Sequence, residues 1–360
     1  MSDLTLHSRI KDYTVHFSND FAFFEDMGDI RPRAVIIDKN VYDLYRDMLR
    51  SYFADGEIIL FEAREENKTI ESCLALYERI IQMAAKKNMT VISIGGGITQ
   101  DVTGFLASTL YRGVNWIYIP TTFLAQTDSC IGSKTSLNFK SYKNLIGTFY
   151  PPSRIFIDPK FLGTLSTVDF YSGIGEAVKF QLMKEEKQKD IGKIKPVMER
   201  ALKKDETLVD LIRDNMQVKI AYMENDEFDQ GRRNLLNYGH CFGHALETSS
   251  DYQISHGIAV LIGIMYANIL SNMRHMLSDA LLKTVMEEIL LPNNPLKLDP
   301  GHFNGAALLE GMKKDKKRTG DLLAVVMPDG NYSIIKVSDV TDVEFKECLK
   351  RLNHMLFKEA

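Results

Sequence analysis

Short apolar runs and helical periodicity alternate along the first half of the chain. Four runs are rich in Ile or Phe, are bounded by turn residues, and are typical of buried strands. They are Ala34–Asp38, Glu57–Phe61, Trp116–Pro120 and Arg154–Asp158. The segment Thr69–Lys87 instead repeats its apolar residues at the period of an amphipathic helix. Strands that alternate with helices favour a parallel sheet built from right-handed crossovers.

The pattern changes after about Leu165, where long segments follow the helical period. They are Gly173–Met183, Ile194–Lys203, Thr207–Met223, Arg233–Thr248, Gly257–Met273 and Ala280–Leu290. A β-hairpin is predicted to join Leu322–Met327 to Asn331–Val337. We therefore predict two domains, an α/β domain over residues 1–165 and a mainly α-helical domain over residues 166–360.

Composition and charge indicate the compartment of the protein and argue against some classes of partner. The 360 residues carry a formal net charge of −4, so no overall basic field favours nucleic acid or an anionic membrane. The N-terminus has no apolar signal-peptide core, and the longest apolar run, Gly257–Leu270, is short for a bilayer span and predicts a buried helix. The four cysteines are widely spread and form no CxxC pair, which favours free thiols in a reducing cytoplasm.

Five polar residues in the segment Arg233–Thr248 recur at spacings of 4, 3, 4 and 3, so a helix would place them on one face. They are Arg233, Asn237, His240, His244 and Glu247. Gly239 and Gly243 lie one turn apart in the same segment, although each glycine inside a helix costs about 1 kcal/mol relative to alanine. These glycines indicate that something approaches the backbone closely, and a metal or an anionic ligand would explain both features.

A solvated helix face is the alternative explanation for two histidines at positions i and i+4. The additional Arg233 and Asn237, together with a third histidine at His256, favour a binding site over that alternative. The pair is not the HExxH motif of zinc peptidases, because Cys241 stands where that motif requires glutamate.

The turn Gly95–Gly97 follows a predicted strand and precedes a helix predicted over about Asp101–Leu110. Glycines there let a phosphate approach the N–H groups at a helix N-terminus, although a tight turn alone would also require them. Asp101 and the turn Pro120–Thr122 would lie at neighbouring strand ends, where open α/β sheets bind ligands.

Two further segments carry charged residues. Ala125–Gly147 is expected to be a loop between the domains, and its lysines suit a phosphate or carboxylate, unless it is an ordinary exposed loop. Glu176 and Lys179 share one face of a predicted helix among apolar neighbours, where a surface ion pair is the alternative. With His240 and His256, Glu176 would form a His2Glu metal set that leaves a coordination position open.

Seven segments within about residues 90–260 resemble, in order, the signatures of 3-dehydroquinate synthase and related sugar-phosphate cyclases. They are GGGITQDVTGF, YRGVNWIYIPTT, AQTDSCIGSKTSLN, YKNLIGTFYPP, GIGEAVKF, GRRNLLNYGHCFGHALE and SHGIAV. The DKK segment Asp315–Lys317 also fits. The resemblance implies an α/β N-terminal domain that is Rossmann-like and binds NAD, followed by a mainly α-helical domain that binds metal and substrate.

The resemblance also implies roles for individual residues. It assigns one divalent metal, Zn2+ or Co2+, to Glu176, His240 and His256. It places NAD beside Asp38, Glu65, Lys68, Gly95, Gly96, Gly97, Asp101, Thr121, Thr122, Asp128, Lys134 and Lys143. It places the substrate beside Arg112, Lys134, Lys143, Asn144, Lys219, Arg233, Asn237, His244 and Lys316, with a catalytic set of Lys179, His244, Asp128, Lys134, Arg233 and Asn237. Arg112 resembles an arginine that reaches a neighbouring subunit, which implies a homodimer, and Glu247 receives no role.

The implied activity is that of 3-dehydroquinate synthase, a phosphorus–oxygen lyase acting on 3-deoxy-D-arabino-heptulosonate 7-phosphate. The C5 hydroxyl is oxidised with NAD+, phosphate leaves by elimination, the ketone is reduced again, and the opened ring closes by an intramolecular aldol step. Coordination to the metal would acidify the hydroxyl and polarise the ketone. Because NAD is regenerated in each cycle, the net reaction is not a dehydrogenation.

Other functions stay open on the sequence alone. The sibling cyclases that form amino-dehydroquinate, 2-epi-5-epi-valiolone or 2-deoxy-scyllo-inosose share the metal set, and here Ser133 and Ser136 replace glycines of the usual GGKTGVN pattern. Tyr142 likewise replaces the glycine of the usual GKN. Arg233 matches a substrate carboxylate and favours dehydroquinate formation. A metal-dependent polyol dehydrogenase would need no lysine-rich phosphate site, and a non-catalytic binding module would need no Glu/His/His set.

Overall fold

The protein is described by a computed structural model that covers residues 2–83, 86–140, 142–185, 191–205, 207–314 and 322–357. The chain divides into two compact units, unit 1 (Met1–Leu165) and unit 2 (Ser166–Ala360). The division falls where strand patterns give way to helical periodicity in the sequence.

Unit 1 is built on a twisted sheet of seven strands within its described residues, in the order β1-β2-β9-β6-β5-β3-β4. Every neighbouring pair in this sheet is parallel except β1 with β2. The strands of the unit are β1 (Leu4–Leu6), β2 (Tyr13–Phe17), β3 (Arg33–Asp38), β4 (Ile58–Phe61), β5 (Thr90–Gly95), β6 (Asn115–Pro120), β7 (Lys134–Phe139), β8 (Tyr142–Phe149) and β9 (Arg154–Ile157). The predicted α/β class with a largely parallel sheet is confirmed.

The central strands are buried on both faces, which explains their continuous apolar runs. All six residues of β5 are buried, and β3 is buried from Arg33 to Ile37. The helices of unit 1 are α1 (Lys39–Tyr52), α2 (Ile70–Gln82) and α3 (Gly97–Thr109). Helix α1 begins where the Asp38 carboxylate accepts the Asn40 N–H at 3.0 Å. Helix α3 begins at Gly97, earlier than the predicted start at Asp101, so the whole glycine turn lies at its N-terminus.

The segment Ala125–Gly147 is not the interdomain loop that we predicted. It lies inside unit 1 and consists of a π-helical turn, Ala125–Ser129, followed by the antiparallel hairpin β7–β8. Thr135 and Leu137 on β7 point inward while their neighbours are more exposed. This alternation defines a strand, but small polar residues and lysines obscure it in the sequence.

Unit 2 is mainly helical, as predicted. Its helices are α4 (Thr167–Met183), α5 (Ile191–Ala201), α6 (Leu208–Met223), α7 (His240–Ser249), α8 (His256–Met273), α9 (Asp279–Thr284), α10 (Gly305–Lys313) and α11 (Asp342–Leu356), and its hairpin is β10 (Leu323–Pro328) with β11 (Ile334–Val340). Helix α8 is longer than the apolar run suggested, and its 18 residues, with a mean hydropathy of 1.3, could span a membrane by length and composition alone. However, 83% of that stretch is buried inside the protein, as in the core helix of a globular domain.

The segment Arg233–Thr248 is not one helix, so the predicted five-residue face is wrong. Residues Arg232–Asn237 form a 3-10 turn, and Gly239 adopts a left-handed conformation with φ +79° before α7 begins at His240. A Cβ atom at Gly239 would lie 2.5 Å from the Val260 carbonyl oxygen of α8, so glycine is required for packing as well as for conformation. Only the residues from His240 onward share the helix face.

Candidate functional site

Glycines bring three helices of unit 2 into backbone contact. A Cβ atom at Gly175 of α4 would lie 2.0 Å from the Gly257 carbonyl oxygen of α8. A Cβ atom at Gly243 of α7 would lie 3.0 Å from the Ala259 carbonyl oxygen, also on α8. The close approach that Gly239 and Gly243 predicted is made by the backbone of helix α8. The consequence for the site is that residues on α4, α7 and α8 converge.

Glu176, His240 and His256 meet where these helices converge. The Glu176 Oε1 atom lies 3.3 Å from His256 Nε2 and 3.6 Å from His240 Nε2. His244 joins the group, since the three histidines offer ring nitrogens within 4.8 Å of one another. The predicted Glu/His/His set is thus brought together, with a third imidazole one helical turn away.

The Glu176 carboxylate is fully buried, with a side-chain exposure of 0%. Among the described residues, neither of its oxygens accepts a hydrogen bond of normal geometry, although Lys179 Nζ forms a close ion pair with Oε2. Buried acceptors without partners are rare and costly. A cation held between the Glu176 oxygen and the imidazole nitrogens would satisfy that oxygen, so the residues present fit a divalent metal.

The two facing imidazoles are oriented through their other ring nitrogens. His240 Nδ1 lies 3.1 Å from the Tyr238 carbonyl oxygen, and His256 Nδ1 lies 3.1 Å from Glu247 Oε2. An acceptor at Nδ1 holds a proton there, so Nε2, which faces Glu176, is the nitrogen that a metal would use. Both rings are thus oriented as metal ligands require.

Electrostatics in the cluster favour an ionised carboxylate. Burial alone would raise the pKa of the Glu176 carboxyl, but the Lys179 charge and the bond with His256 outweigh it and lower the pKa to about 2. Burial would lower the pKa of His256, but Glu247 and Glu176 raise it to about 10. Burial and the nearby Lys179 charge hold the pKa of His240 well below its ordinary value. In the absence of metal, therefore, His256 is protonated, and a metal bound at its Nε2 atom would have to displace that proton.

The remaining predicted residues of unit 2 lie on the same or adjacent elements. Lys179 is 2% exposed and follows Glu176 by one turn on α4, and Lys219 on α6 is 7% exposed. Arg233 is also buried, and its guanidinium donates to the Glu227 carbonyl oxygen. The Asn237 side chain donates to the Asn234 carbonyl oxygen at 2.6 Å. Lys316 lies outside the described residues.

The predicted NAD residues of unit 1 include strand ends at one edge of its sheet. Asp38 ends β3, Gly95 ends β5, and Thr121 follows β6, three strands that are neighbours in the sheet. The Thr121 N–H donates to the Gly95 carbonyl oxygen at 3.0 Å. A Cβ atom at Gly95 would lie 2.4 Å from the Thr99 hydroxyl, and one at Gly96 would lie 2.9 Å from the Thr122 methyl group. The tight turn itself therefore requires both glycines, whatever it binds.

A second polar cluster of unit 1 is formed by Lys68, Asp101, Ser136 and Asn144. Lys68 Nζ lies 2.5 Å from Asp101 Oδ2 and donates to Asn144 Oδ1 at 2.6 Å. The Ser136 hydroxyl lies 3.0 Å from Asp101 Oδ2 and 2.9 Å from Asn144 Oδ1. Residues predicted for NAD and for substrate therefore share one hydrogen-bonded network.

The hairpin is fastened to the turn that carries Glu65 and Lys68. The Asn138 N–H donates to the Lys68 carbonyl oxygen at 2.7 Å, and its side-chain amide donates to Glu65 Oε1 at 2.9 Å. Lys143 Nζ lies 3.6 Å from the same Glu65 oxygen. These bonds hold Lys143 and Asn144 beside Glu65 and Lys68.

The three remaining predicted residues of unit 1 lie in turns or at the start of a strand. Asp128 lies in the π-helical turn, Lys134 is exposed at the start of β7, and Arg112 is exposed in a short turn with φ +61°. Sequence reasoning gave no role to Glu247, Ser136 or Asn138, each of which contacts a predicted site residue. The position of Glu247 on the histidine face was the one available signal, since Ser136 and Asn138 lay in a segment that we took for a loop.

Comparison with known proteins places this architecture in a family. Residues 58–172 match the N-terminal domain of 3-dehydroquinate synthase, and residues 173–318 match its C-terminal domain. The 3-dehydroquinate synthase of Streptococcus equi subsp. equi (strain 4047) is 32% identical over 338 residues, which cover 90% of this chain and 91% of that protein. The chain belongs to the 3-dehydroquinate synthase family.

Solved structures of two sibling cyclases share the fold. The 2-epi-5-epi-valiolone synthase of Streptomyces hygroscopicus subsp. jinggangensis 5008, solved with NAD+ and Zn2+, superposes with a TM-score of 0.83 at 25% identity, covering 98% of this chain and 99% of that chain. A 2-deoxy-scyllo-inosose synthase complexed with carbaglucose-6-phosphate, NAD+ and Co2+ gives a TM-score of 0.81 at 24% identity, covering 97% and 100%.

Proposed function

We propose that the protein is a cyclase that converts 3-deoxy-D-arabino-heptulosonate 7-phosphate to 3-dehydroquinate with release of phosphate. Because the elimination breaks the carbon–oxygen bond to phosphate, the proposed enzyme is a carbon–oxygen lyase and not the phosphorus–oxygen lyase expected from the sequence. The observation that carries the proposal is the buried Glu176 carboxylate, whose Oε1 atom lies 3.3 Å from His256 Nε2 and 3.6 Å from His240 Nε2. Family membership over most of the chain supplies the reaction class.

Glu176, His240 and His256 would hold one divalent cation, Zn2+ or Co2+. When bound, that cation and NAD supply Lewis-acid and hydride chemistry, which protein side chains cannot provide. The ion pair with Lys179 keeps Glu176 ionised and hence able to bind the cation. His244, one turn after His240 and exposed, is placed to contact a substrate group beside the metal.

The candidate substrate residues are cations and amides, and each unit carries its own set. In unit 2, Lys219, Arg233 and Asn237 form the candidate set, and Arg233 matches a carboxylate because its guanidinium is planar and permanently charged. In unit 1, the candidate set is Lys143 and Asn144 with Lys134, while Asp38, Lys68, Asp101 and the turn Gly95–Gly97 are assigned to NAD. Lysines supply point charges for phosphate.

The proposal extends to assembly and compartment. Exposed Arg112 would serve the site of a second copy in a homodimer. All four cysteines lie within the described residues as free thiols, which suits a reducing cytoplasm.

A sibling cyclase activity is the second candidate, and one contact favours it. The Ser136 hydroxyl, at a position where the family pattern has glycine, lies 2.9 Å from Asn144, a proposed substrate residue. A side chain added there changes the groups that face the substrate, so the sugar phosphate accepted by this chain can differ.

The test is phosphate release from a panel of sugar phosphates. Purified protein with NAD+ and Zn2+ or Co2+ is given heptulosonate 7-phosphate, its amino analogue, sedoheptulose 7-phosphate and glucose 6-phosphate. We expect phosphate and dehydroquinate from the first substrate and no net NADH. Turnover of another member alone would assign a sibling activity, and steady NADH accumulation with glycerol would assign a polyol dehydrogenase.

A further inference from the structure

We propose that Glu247 is a positioning residue that fixes the His256 imidazole as a metal ligand. This inference rests on the metal site proposed above. It concerns a residue to which neither the sequence patterns nor the family resemblance gave a role.

The geometry places Glu247 directly behind His256. Glu247 Oε2 lies 3.1 Å from His256 Nδ1, while His256 Nε2 lies 3.3 Å from Glu176 Oε1. The imidazole therefore bridges two carboxylates through its two nitrogens. Glu176 faces the proposed cation, and Glu247 accepts a hydrogen bond from the N–H group on the opposite side of the ring.

The need for such a partner differs between the two histidines. His240 points its Nδ1 at the backbone carbonyl of Tyr238, which the buried bonds of the Tyr238 phenol to Asn268 and Tyr332 hold in place. Each histidine is the first residue of its helix, but the His256 side chain is 31% exposed, compared with 13% for His240. A ring at that position has more rotational freedom, so a side-chain acceptor has to fix it.

The backbone holds Glu247 in position. Its carbonyl oxygen accepts the Tyr252 N–H at 2.9 Å and the Ser250 hydroxyl at 3.1 Å, which closes the turn after α7. The residue is 9% exposed and lies on the α7 face that also carries His240 and His244. Its carboxylate therefore approaches His256 from a rigid element, and a carboxylate partner also makes a histidine ligand more basic.

The test measures metal affinity rather than turnover. Glu247→Ala and Glu247→Gln are compared with the wild type by chelator competition for Zn2+ and by the visible absorption of the Co2+ form. We expect about 10–100-fold weaker binding for Glu247→Ala, the range found when such second partners are removed. Glu247→Gln keeps an acceptor without the charge and should lose less. Glu310→Gln on α10 is the matched control, because its ion pair with Lys314 is exposed.

Histidine side-chain 15N NMR of the Zn2+-loaded protein gives a second readout. In the wild type the His256 Nδ1 proton should be protected from solvent exchange by its bond to Glu247, and Glu247→Ala should remove that protection. Circular dichroism checks folding, and Glu247→Gln decides the question if the alanine variant does not fold. Wild-type affinity and an unchanged Co2+ spectrum in both variants would overturn the positioning role alone. A wild type that binds no metal would overturn the proposed function and this inference with it.

Discussion

The two units each bury a polar cluster, but the described residues give hydrogen-bond partners to the buried groups of unit 1 and none of normal geometry to the Glu176 carboxylate of unit 2. In unit 1, Lys68 lies between Asp101 and Asn144, and their charges and amides satisfy one another without any ligand. In unit 2, the carboxylate of Glu176 is fully buried yet accepts no hydrogen bond of normal geometry among the described residues. An unsatisfied buried acceptor costs about 1–3 kcal/mol. The first cluster is therefore complete as it stands, whereas the second would be completed by the proposed cation.

Glu176→Gln should produce the largest effect and tests the unit 2 side of this comparison directly. The amide cannot replace an anionic ligand, so metal should be lost and turnover should fall by at least about 1000-fold, equivalent to about 4 kcal/mol. Metal analysis of the purified protein and phosphate release measure both effects. A variant that retains one metal per chain would show that the cluster is held by the three histidines without Glu176.

Lys68→Met tests whether the polar cluster of unit 1 is stabilised by its own ion pair. Lys68 is 6% exposed, and its loss would leave Asp101 without its cation, at a cost of about 3–5 kcal/mol. The single tryptophan of the chain, Trp116, is buried in unit 1, so its fluorescence in urea reports on that unit. A double variant that adds Asp101→Asn should recover part of the loss. Equal stability of the single variant and the wild type would contradict a self-paired cluster.

The ion pair of Arg33 with Glu57 in unit 1 involves no residue that we assign to a ligand. It therefore serves as a reference for a buried ion pair that only stabilises the fold. Arg33 Nη2 lies 2.9 Å from Glu57 Oε2, and the arginine side chain is 0% exposed. Burial would raise the pKa of Glu57, but its bonds and charge pairing with Arg33 outweigh this and lower it. A lowered folded-state pKa gives stability that is present above the ordinary glutamate value of about 4.3 and lost as pH falls through the folded value.

Glu57→Gln should therefore lower the stability of unit 1 near neutral pH by about 1.5–3 kcal/mol and flatten its decline in acid. Urea titrations followed by Trp116 fluorescence between about pH 3 and pH 7 measure this difference. Parallel pH profiles of variant and wild type would exclude Glu57 as a source of acid sensitivity.

The sequence predicted which residues form the proposed metal site better than it predicted the backbone that carries them. Glu176, His240 and His256 were identified from residue type, spacing and family resemblance, and the structure brings them together. A single helix through Arg233 was wrong, because periodicity does not register a left-handed residue such as Gly239. Both its positive φ and its contact with α8 require glycine there, and neither is visible in the periodicity.

Contacts between different elements could not be predicted either, because local sequence patterns do not encode them. The bond from His256 to Glu247 spans a turn between two helices, and no local pattern encodes its direction. The hairpin β7–β8 was missed because its inward residues are as often Thr as Leu, so its alternation is weak. In contrast, β5 and β3 were predictable because both their faces are buried, and burial requires continuous apolar runs.

The smallest expected effects come from two serines that replace family glycines, and they should have opposite signs. Ser133 adopts φ +64°, a left-handed conformation that costs a side-chain-bearing residue about 1 kcal/mol. Ser133→Gly relieves that strain but adds freedom to the unfolded chain, so it should be neutral or stabilise unit 1 by less than about 1 kcal/mol. Ser136→Gly removes the hydroxyl beside Asp101 and Asn144 and places glycine in a strand, which should destabilise the unit by about 1–2 kcal/mol.

Ser136→Ala separates the two contributions at that position, since it removes the hydroxyl and keeps the Cβ atom. Urea titrations followed by Trp116 fluorescence compare the three variants with the wild type, and the KM for NAD+ shows whether the hydroxyl also orders Asp101. If Ser136→Gly matched Ser133→Gly in sign, the hydroxyl would contribute nothing to the unit 1 cluster. The Lys68 ammonium group would then be the group that holds Asp101 and Asn144 together. The difference between the unit 1 cluster and the Glu176 cluster of unit 2 would depend on that one charge.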